Sequence, residues 1–143
     1  MPCYLGLDYG IRRIGLAVSN PEATLAFAAG THVEGRDGSV LARLAELVDE
    51  RDVVALVLGL PLTADGSEGD MTRRVRKFAL RLEEEFHLEV ILWDERFSSV
   101  EADRWLAGTV RREKEDRDTV AAQIILQSYL DHLNRGSDRT SGP

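Results

Sequence analysis

The stretch that decides the fold is Cys3-Tyr4-Leu5-Gly6-Leu7-Asp8-Tyr9-Gly10, followed by Ile11-Arg12-Arg13 and then Ile14-Gly15-Leu16-Ala17-Val18-Ser19. Two apolar runs flank a short basic turn, which is the pattern of a β-hairpin. The first run carries one charge, Asp8, among residues expected to be buried. A carboxylate in such surroundings is costly unless it meets a partner, a proton or a metal. Two readings of Asp8 stand: a turn former ahead of Gly10, or a catalytic or metal-binding carboxylate on a strand. Gly6 and Gly10 favour the second, because glycine within a strand marks close approach by backbone or ligand.

Working outward, Asn20-Pro21-Glu22 is a turn and residues 24–33 supply a third strand. Ser39 caps a helix whose apolar face is Leu41, Leu44, Ala45 and Val48. The continuous apolar run Val53 to Leu60 reads as a buried, parallel-type strand, ended by Pro61. Asp70 caps a second helix with Val75, Phe78, Ala79, Leu82 and Phe86 on one face, and Leu88 to Trp93 is a further strand. Ser98 with Glu101 forms a capping box for a short helix ending near Gly108. A mixed-charge loop follows, then a last helix from about Asp118 to Asn134, with residues 136–143 as a disordered tail. This order predicts an α/β fold: an antiparallel hairpin and meander leading into βαβαβ, a mixed five-stranded sheet flanked by helices, in one domain over residues 1–135. A Rossmann start is excluded, since a hairpin follows the first strand and no G-x-G-x-x-G does.

The net charge of −7 argues against a generic nucleic-acid coat, but not against a local basic surface. The cations are bunched, as Arg12-Arg13, as Arg73, Arg74, Arg76 and Lys77, and as Arg111, Arg112, Lys114 and Arg117. In the second helix the cations crowd the N-terminal half and Glu83-Glu84-Glu85 the C-terminal half. That opposes the helix dipole, at a few tenths to about 1 kcal/mol per charge. It is a hint of a phosphate-facing surface. The loop with Gly66 and Gly69 either brings backbone amides to a phosphate or is a plain surface loop. The sequence has no apolar run long enough to cross a membrane, no signal-peptide pattern and a lone cysteine, Cys3, so a cytoplasmic protein is expected.

Asp94 and Glu95 end a predicted strand, where ligand sites of α/β sheets lie. Either both belong to a polar turn, or the strand continues that far and the period of two sends them to opposite faces. One can then join Asp8 while the other pairs locally, for instance with Arg96; the spacing leaves open which. Asp118 opens the last helix, where an acid is favoured by the dipole alone. Asp116 is already available as a cap, however, and Ala121, Ala122 and Ile125 would let that face pack closely on the sheet. Three acids from separate elements suit two-metal hydrolysis of a phosphodiester. Oxygen ligation suits Mg²⁺ or Mn²⁺. Zinc is disfavoured by the scatter of His32, His87 and His132.

Four ordered motifs resemble those of the YqgF/RuvX family: Leu5 to Gly10 with Arg12 to Ser19; Gly59-Leu60-Pro61-Leu62 with Asp65 to Gly69; Trp93 to Ser99; and Asp118 to Asp131. The resemblance implies an RNase H-like fold of the resolvase type and a metal-dependent endonuclease, linked in the family to processing the 5′ end of pre-16S rRNA and to resolving Holliday junctions. Carried over by position, Asp8, the Asp94-Glu95 pair and Asp118 form the acidic site, with Asp8, Glu95 and Asp118 as metal ligands. Arg12, Arg13, Arg73, Arg74, Arg76, Lys77, Arg96, Arg111 and Arg112 are the cations expected on nucleic acid. The loop Val110 to Arg117, often strongly basic in relatives, is diluted here by Glu113, Glu115 and Asp116.

Two other classes compete. An actin-like phosphotransferase also begins with a Gly-acidic-Gly hairpin, but normally uses two such domains. A non-catalytic module binding precursor rRNA or branched DNA would keep the surface without the chemistry. A homodimer is expected if paired cuts on a junction are the role, and a monomer if RNA trimming is.

Overall fold

The alternation read in the first strand sets up the two faces of the molecule. A computed structural model describes residues 3–98 and 114–140. Strands β1 (Cys3–Tyr9), β2 (Arg13–Ser19) and β3 (Ala26–Val33) form the antiparallel meander; β4 (Val53–Leu60) and β5 (Glu89–Asp94) add parallel to β1. The sheet order is β3-β2-β1-β4-β5. Helices α1 (Val40–Arg51) and α2 (Asp70–Phe86) are the crossovers that parallel pairing requires, and α3 (Lys114–Thr140) closes the described chain. The RNase H-like mixed sheet expected from the sequence is the one observed.

Odd positions of β1 and even positions of β4 face α1 and α2. Leu5, Leu7, Leu16, Leu56 and Leu58 pack there with Leu44, Val75 and Leu82, all fully buried. The other face is lined by small residues. Ala17 and Val57 meet Ala122, Ile125, Leu126 and Leu130 of α3.

Helix ends follow local chemistry. Ser39 caps α1 as expected, its hydroxyl accepting from the Ala42 N–H. In α2 the cap lies one residue earlier than expected: Gly69 is the N-cap and Asp70 the first helical residue. Thr72 supplies the missing side-chain oxygen, accepting from the Gly69 N–H at 3.2 Å and donating to the Pro61 carbonyl. Helix α3 is longer than the expected Asp118–Asn134 at both ends. The capping box of Ser98 with Glu101, the short helix to Gly108 and the cations Arg111 and Arg112 lie outside the described residues.

Candidate active site

Three glycines let α3 lie against the sheet. A Cβ at Gly6 would come within 2.7 Å of the Leu126 side chain, and one at Gly15 within 1.9 Å of the Asp118 carbonyl oxygen. A Cβ at Gly59 would meet the Glu95 carboxylate and the Ile125 side chain, both at 2.7 Å. Gly6 therefore does mark a close approach, but by a helix. Gly10, whose Cβ would meet the Arg13 carbonyl at 2.5 Å, serves the hairpin turn.

The start of α3 is pinned by a residue that the sequence reading passed over, Thr119. The β2–β3 ladder shifts register between Leu16 and Ala17, and Gly30 there has φ of 99°. Such a bulge leaves backbone groups off the ladder. The buried Thr119 hydroxyl fills the place, donating to the Leu16 carbonyl at 2.7 Å and accepting from the Gly30 N–H at 3.1 Å. Further along, Gln123 and Gln127 hydrogen-bond Ala26 on the outer edge of β3, which covers an edge that would otherwise invite pairing. Nothing in the spacing of Thr119 announces this role; its only signal is a Thr directly after a candidate site acid.

Asp8 is paired in register with Gly15 and faces α3. β5 continues the alternation into the 3-10 turn Glu95–Ser98, so Trp93 and Glu95 share the α3 face. Glu95 reaches Asp8 and the two carboxyl groups hydrogen-bond. Burial, followed by the nearby charges of Glu95 and Asp118, pushes the Asp8 carboxyl up to about 8. Glu95 is raised too, chiefly by burial, with the hydrogen bond from Asp8 opposing. Two close carboxyls in a poorly solvated site oppose each other's ionisation.

Asp94 points elsewhere. It accepts from Arg96 through both carboxylate oxygens, at 2.7 to 3.1 Å, and this holds it below the usual carboxylate range. The same guanidinium lies beneath the loop at Gly66, where a Cβ would come within 3.3 Å of it. Asp94 and Arg96 therefore support the 62–69 loop, while Glu95 joins Asp8.

Asp118 stands beside the pair, close enough to raise Asp8, and accepts from Arg13 Nε at 2.7 Å. Among the described residues no three acidic, imidazole or thiol side chains converge on one point; Asp118 is engaged by Arg13. The donor set of Asp8, Glu95 and Asp118 is all carboxylate oxygen, which fits a hard divalent cation. The two buried carboxyls held together mark where positive charge is wanted. His32 is no part of this: it is a buried residue of β3 with its Nε2 3.0 Å from the Gly38 carbonyl oxygen.

Of the expected nucleic-acid cations, Arg13, Arg73, Arg76 and Arg96 are each paired with an acid. Arg12, at the exposed hairpin tip, Arg74 and Lys77 have no acidic partner among the described residues.

The fold is RNase H-like, of the resolvase type. A Thermus thermophilus RuvC in complex with a Holliday junction substrate superposes with a TM-score of 0.61, covering 92% of this chain and 96% of that one at 16% identity. The fowlpox virus resolvase in complex with Holliday junction DNA gives a TM-score of 0.55 at 10% identity, covering 92% and 98%. Within that class, the chain belongs to the RuvX family, described as Holliday junction resolvase, whose model matches residues 2–132. Relatives named "Putative pre-16S rRNA nuclease" include one from Nitrosospira multiformis, 43% identical and covering 91% of this chain and 88% of its own length. Another from Koribacter versatilis is 41% identical over 94% of this chain and 89% of its own. No described helix is long and apolar enough to cross a membrane.

Proposed function

We propose that this protein is a metal-dependent endonuclease that hydrolyses phosphodiesters of structured nucleic acid, with the pre-16S rRNA 5′ leader, the four-way DNA junction, or both as substrate. The observation that carries the reading is the buried Asp8–Glu95 carboxyl pair with Asp118 beside it, at the carboxyl ends of β1 and β5. The names of the relatives support the RNA substrate and the family description supports the junction.

Asp8, Glu95 and Asp118 are the residues that would hold Mg²⁺ or Mn²⁺. When bound, such ions lower the pKa of a coordinated water and neutralise charge on the phosphate oxygens. The chain itself supplies the rest. Asp8 and Glu95 present the buried carboxylate oxygens that would hold the ions. Arg13 fixes the Asp118 side chain at the mouth of the site and balances its charge. Arg96 keeps Asp94 out of the cluster, which limits the like-charge repulsion that a fourth carboxylate would add.

The test is cleavage of a labelled four-way junction and a leader RNA, side by side with Mg²⁺ or Mn²⁺, by wild type and Asp8→Asn. Cutting by wild type alone establishes the nuclease and names its polymer. Binding of either polymer by both proteins, with no cutting by wild type, would leave a binding module instead. Sedimentation of the free protein tells whether two copies are present to make paired cuts.

A further inference from the structure

The cations of α2 are not one group. Arg73 is tied to Asp70, and Arg76 donates twice to Glu68, at 2.8 and 2.9 Å. Arg74, Lys77 and Arg81 have no acidic partner among the described residues. Their spacing of three and four places them on one helix face. They line a cleft of about 600 Å³ whose floor is Tyr9 and Phe78, with ring centroids 4.7 Å apart. The one acid at this cleft, Asp70, is already held by Arg73. A chain of net charge −7 thus concentrates unneutralised positive charge around one concave, aromatic-floored surface.

The position of that surface gives it a use. Tyr9 follows Asp8 directly at the carboxyl end of β1, and the strand alternation turns Asp8 toward α3 and Tyr9 toward α2. Their Cα atoms are about 3.8 Å apart, as across any trans peptide. A nucleic-acid strand lying over this end of the sheet would meet the carboxylates on one side and the cleft on the other. Arg74 to Arg81 covers about 10 Å of helix, which suits two or three successive phosphates at a rise of about 3.4 Å per nucleotide. Glu83, Glu84 and Glu85 begin two residues further on and close the track to a polyanion.

We propose that Arg74, Lys77, Arg81 and Tyr9 form a backbone-binding groove that holds the substrate strand beside the cleavage point, through its phosphates and without reading sequence. This rests on the nuclease reading only in naming the ligand as substrate. It assigns the charge reversal of α2 to three particular side chains, and it adds Arg81 and Tyr9 to the surface while giving Arg73 and Arg76 structural partners.

The experiment is anisotropy binding of the labelled four-way junction and leader RNA, without divalent ions, between about 50 and 200 mM NaCl. It compares wild type, Arg74→Ala/Lys77→Ala/Arg81→Ala, and a control of equal charge loss, Arg43→Ala/Arg51→Ala/Arg135→Ala. All three groove side chains are exposed, so melting curves of the groove variant should match wild type. The groove variant should lose about 10- to 100-fold in affinity at the low-salt end, with the slope of log K against log salt shallower by about 2 to 3. In cleavage, the loss should fall on KM rather than kcat. Wild-type affinity and slope in the groove variant, or the same loss in the control, would overturn the proposal. So would a groove variant that changes only the oligomeric state, which would make this face a protein contact. Wild type that binds through the groove and cuts nothing would sink the nuclease reading and leave the groove standing.

Discussion

The two faces of the sheet are built on opposite rules. Toward α1 and α2 the strands present Leu5, Leu7, Leu16, Leu56 and Leu58, large and fully buried. Toward α3 the same strands present Gly6, Gly15, Ala17, Val57 and Gly59. The first face maximises apolar area removed from water. The second gives up area for proximity: glycines let a helix backbone reach within contact of β2 and leave room for the Glu95 side chain. The lesson is that one sheet can separate the work of staying folded from the work of holding charged groups together, and substitutions on the two faces should fail differently.

The largest effect belongs to Asp8→Asn. Cleavage should fall by about a thousandfold or more, yet the protein should be no less stable. The carboxyl is raised by burial to about 8 in the fold, from 3.8. As pH rises through that window the unfolded chain ionises first and the folded chain keeps its proton, so ionisation favours unfolding. Metal-free wild type should therefore lose stability relative to Asp8→Asn between about pH 5 and 8, by on the order of a few kcal/mol. Urea melts of both proteins in chelator at the two pH values check this. A wild type that instead gains on the variant at high pH would mean that the cluster is already neutralised.

Next come paired tests of the two faces. Leu58→Ala should cost about 3–5 kcal/mol by opening a cavity in the core, with residual folded protein cutting normally. Gly15→Ala should cost less, about 2–3 kcal/mol, but should damage cleavage, because its Cβ would sit 1.9 Å from the Asp118 carbonyl oxygen and displace that acid. Denaturant midpoints against kcat separate the two. Equal loss of activity in both would erase the distinction between the faces.

Much of this was legible in the sequence. The hairpin, the β4 run and the helix faces follow from period and length, and a lone acid in an apolar strand singled out Asp8. What could not be read were contacts that exist only once the segments have taken their places in the fold. The choice between Asp94 and Glu95 depends on whether β5 keeps its alternation into the 3-10 turn, which no local spacing states. The cations of α2 looked uniform in sequence because Glu68, which takes Arg76, lies just before the helix and two turns from that arginine. Thr119 was silent for the same reason: the bulge it fills forms only when β2 and β3 pair. Thr119→Val should cost about 1–2 kcal/mol, leaving the Leu16 carbonyl and Gly30 N–H without the hydroxyl.

The smallest expected effect separates two adjacent acids. Asp94 is bound to Arg96 on a partly exposed surface, and Arg96 lies under Gly66. Asp94→Asn removes one ion pair of a kind worth at most about 1 kcal/mol, and leaves Asp8, Glu95 and Asp118 where they are. Cleavage should fall by less than about tenfold, which is about 1.4 kcal/mol on the barrier, through a looser 62–69 loop. Glu95→Gln, one residue on, should fall with Asp8→Asn. If Asp94→Asn were the dead variant and Glu95→Gln the mild one, the carboxylate needed for cutting would be the one facing away from α3. The division of the sheet into a face for folding and a face for chemistry would then have to be redrawn at its edge.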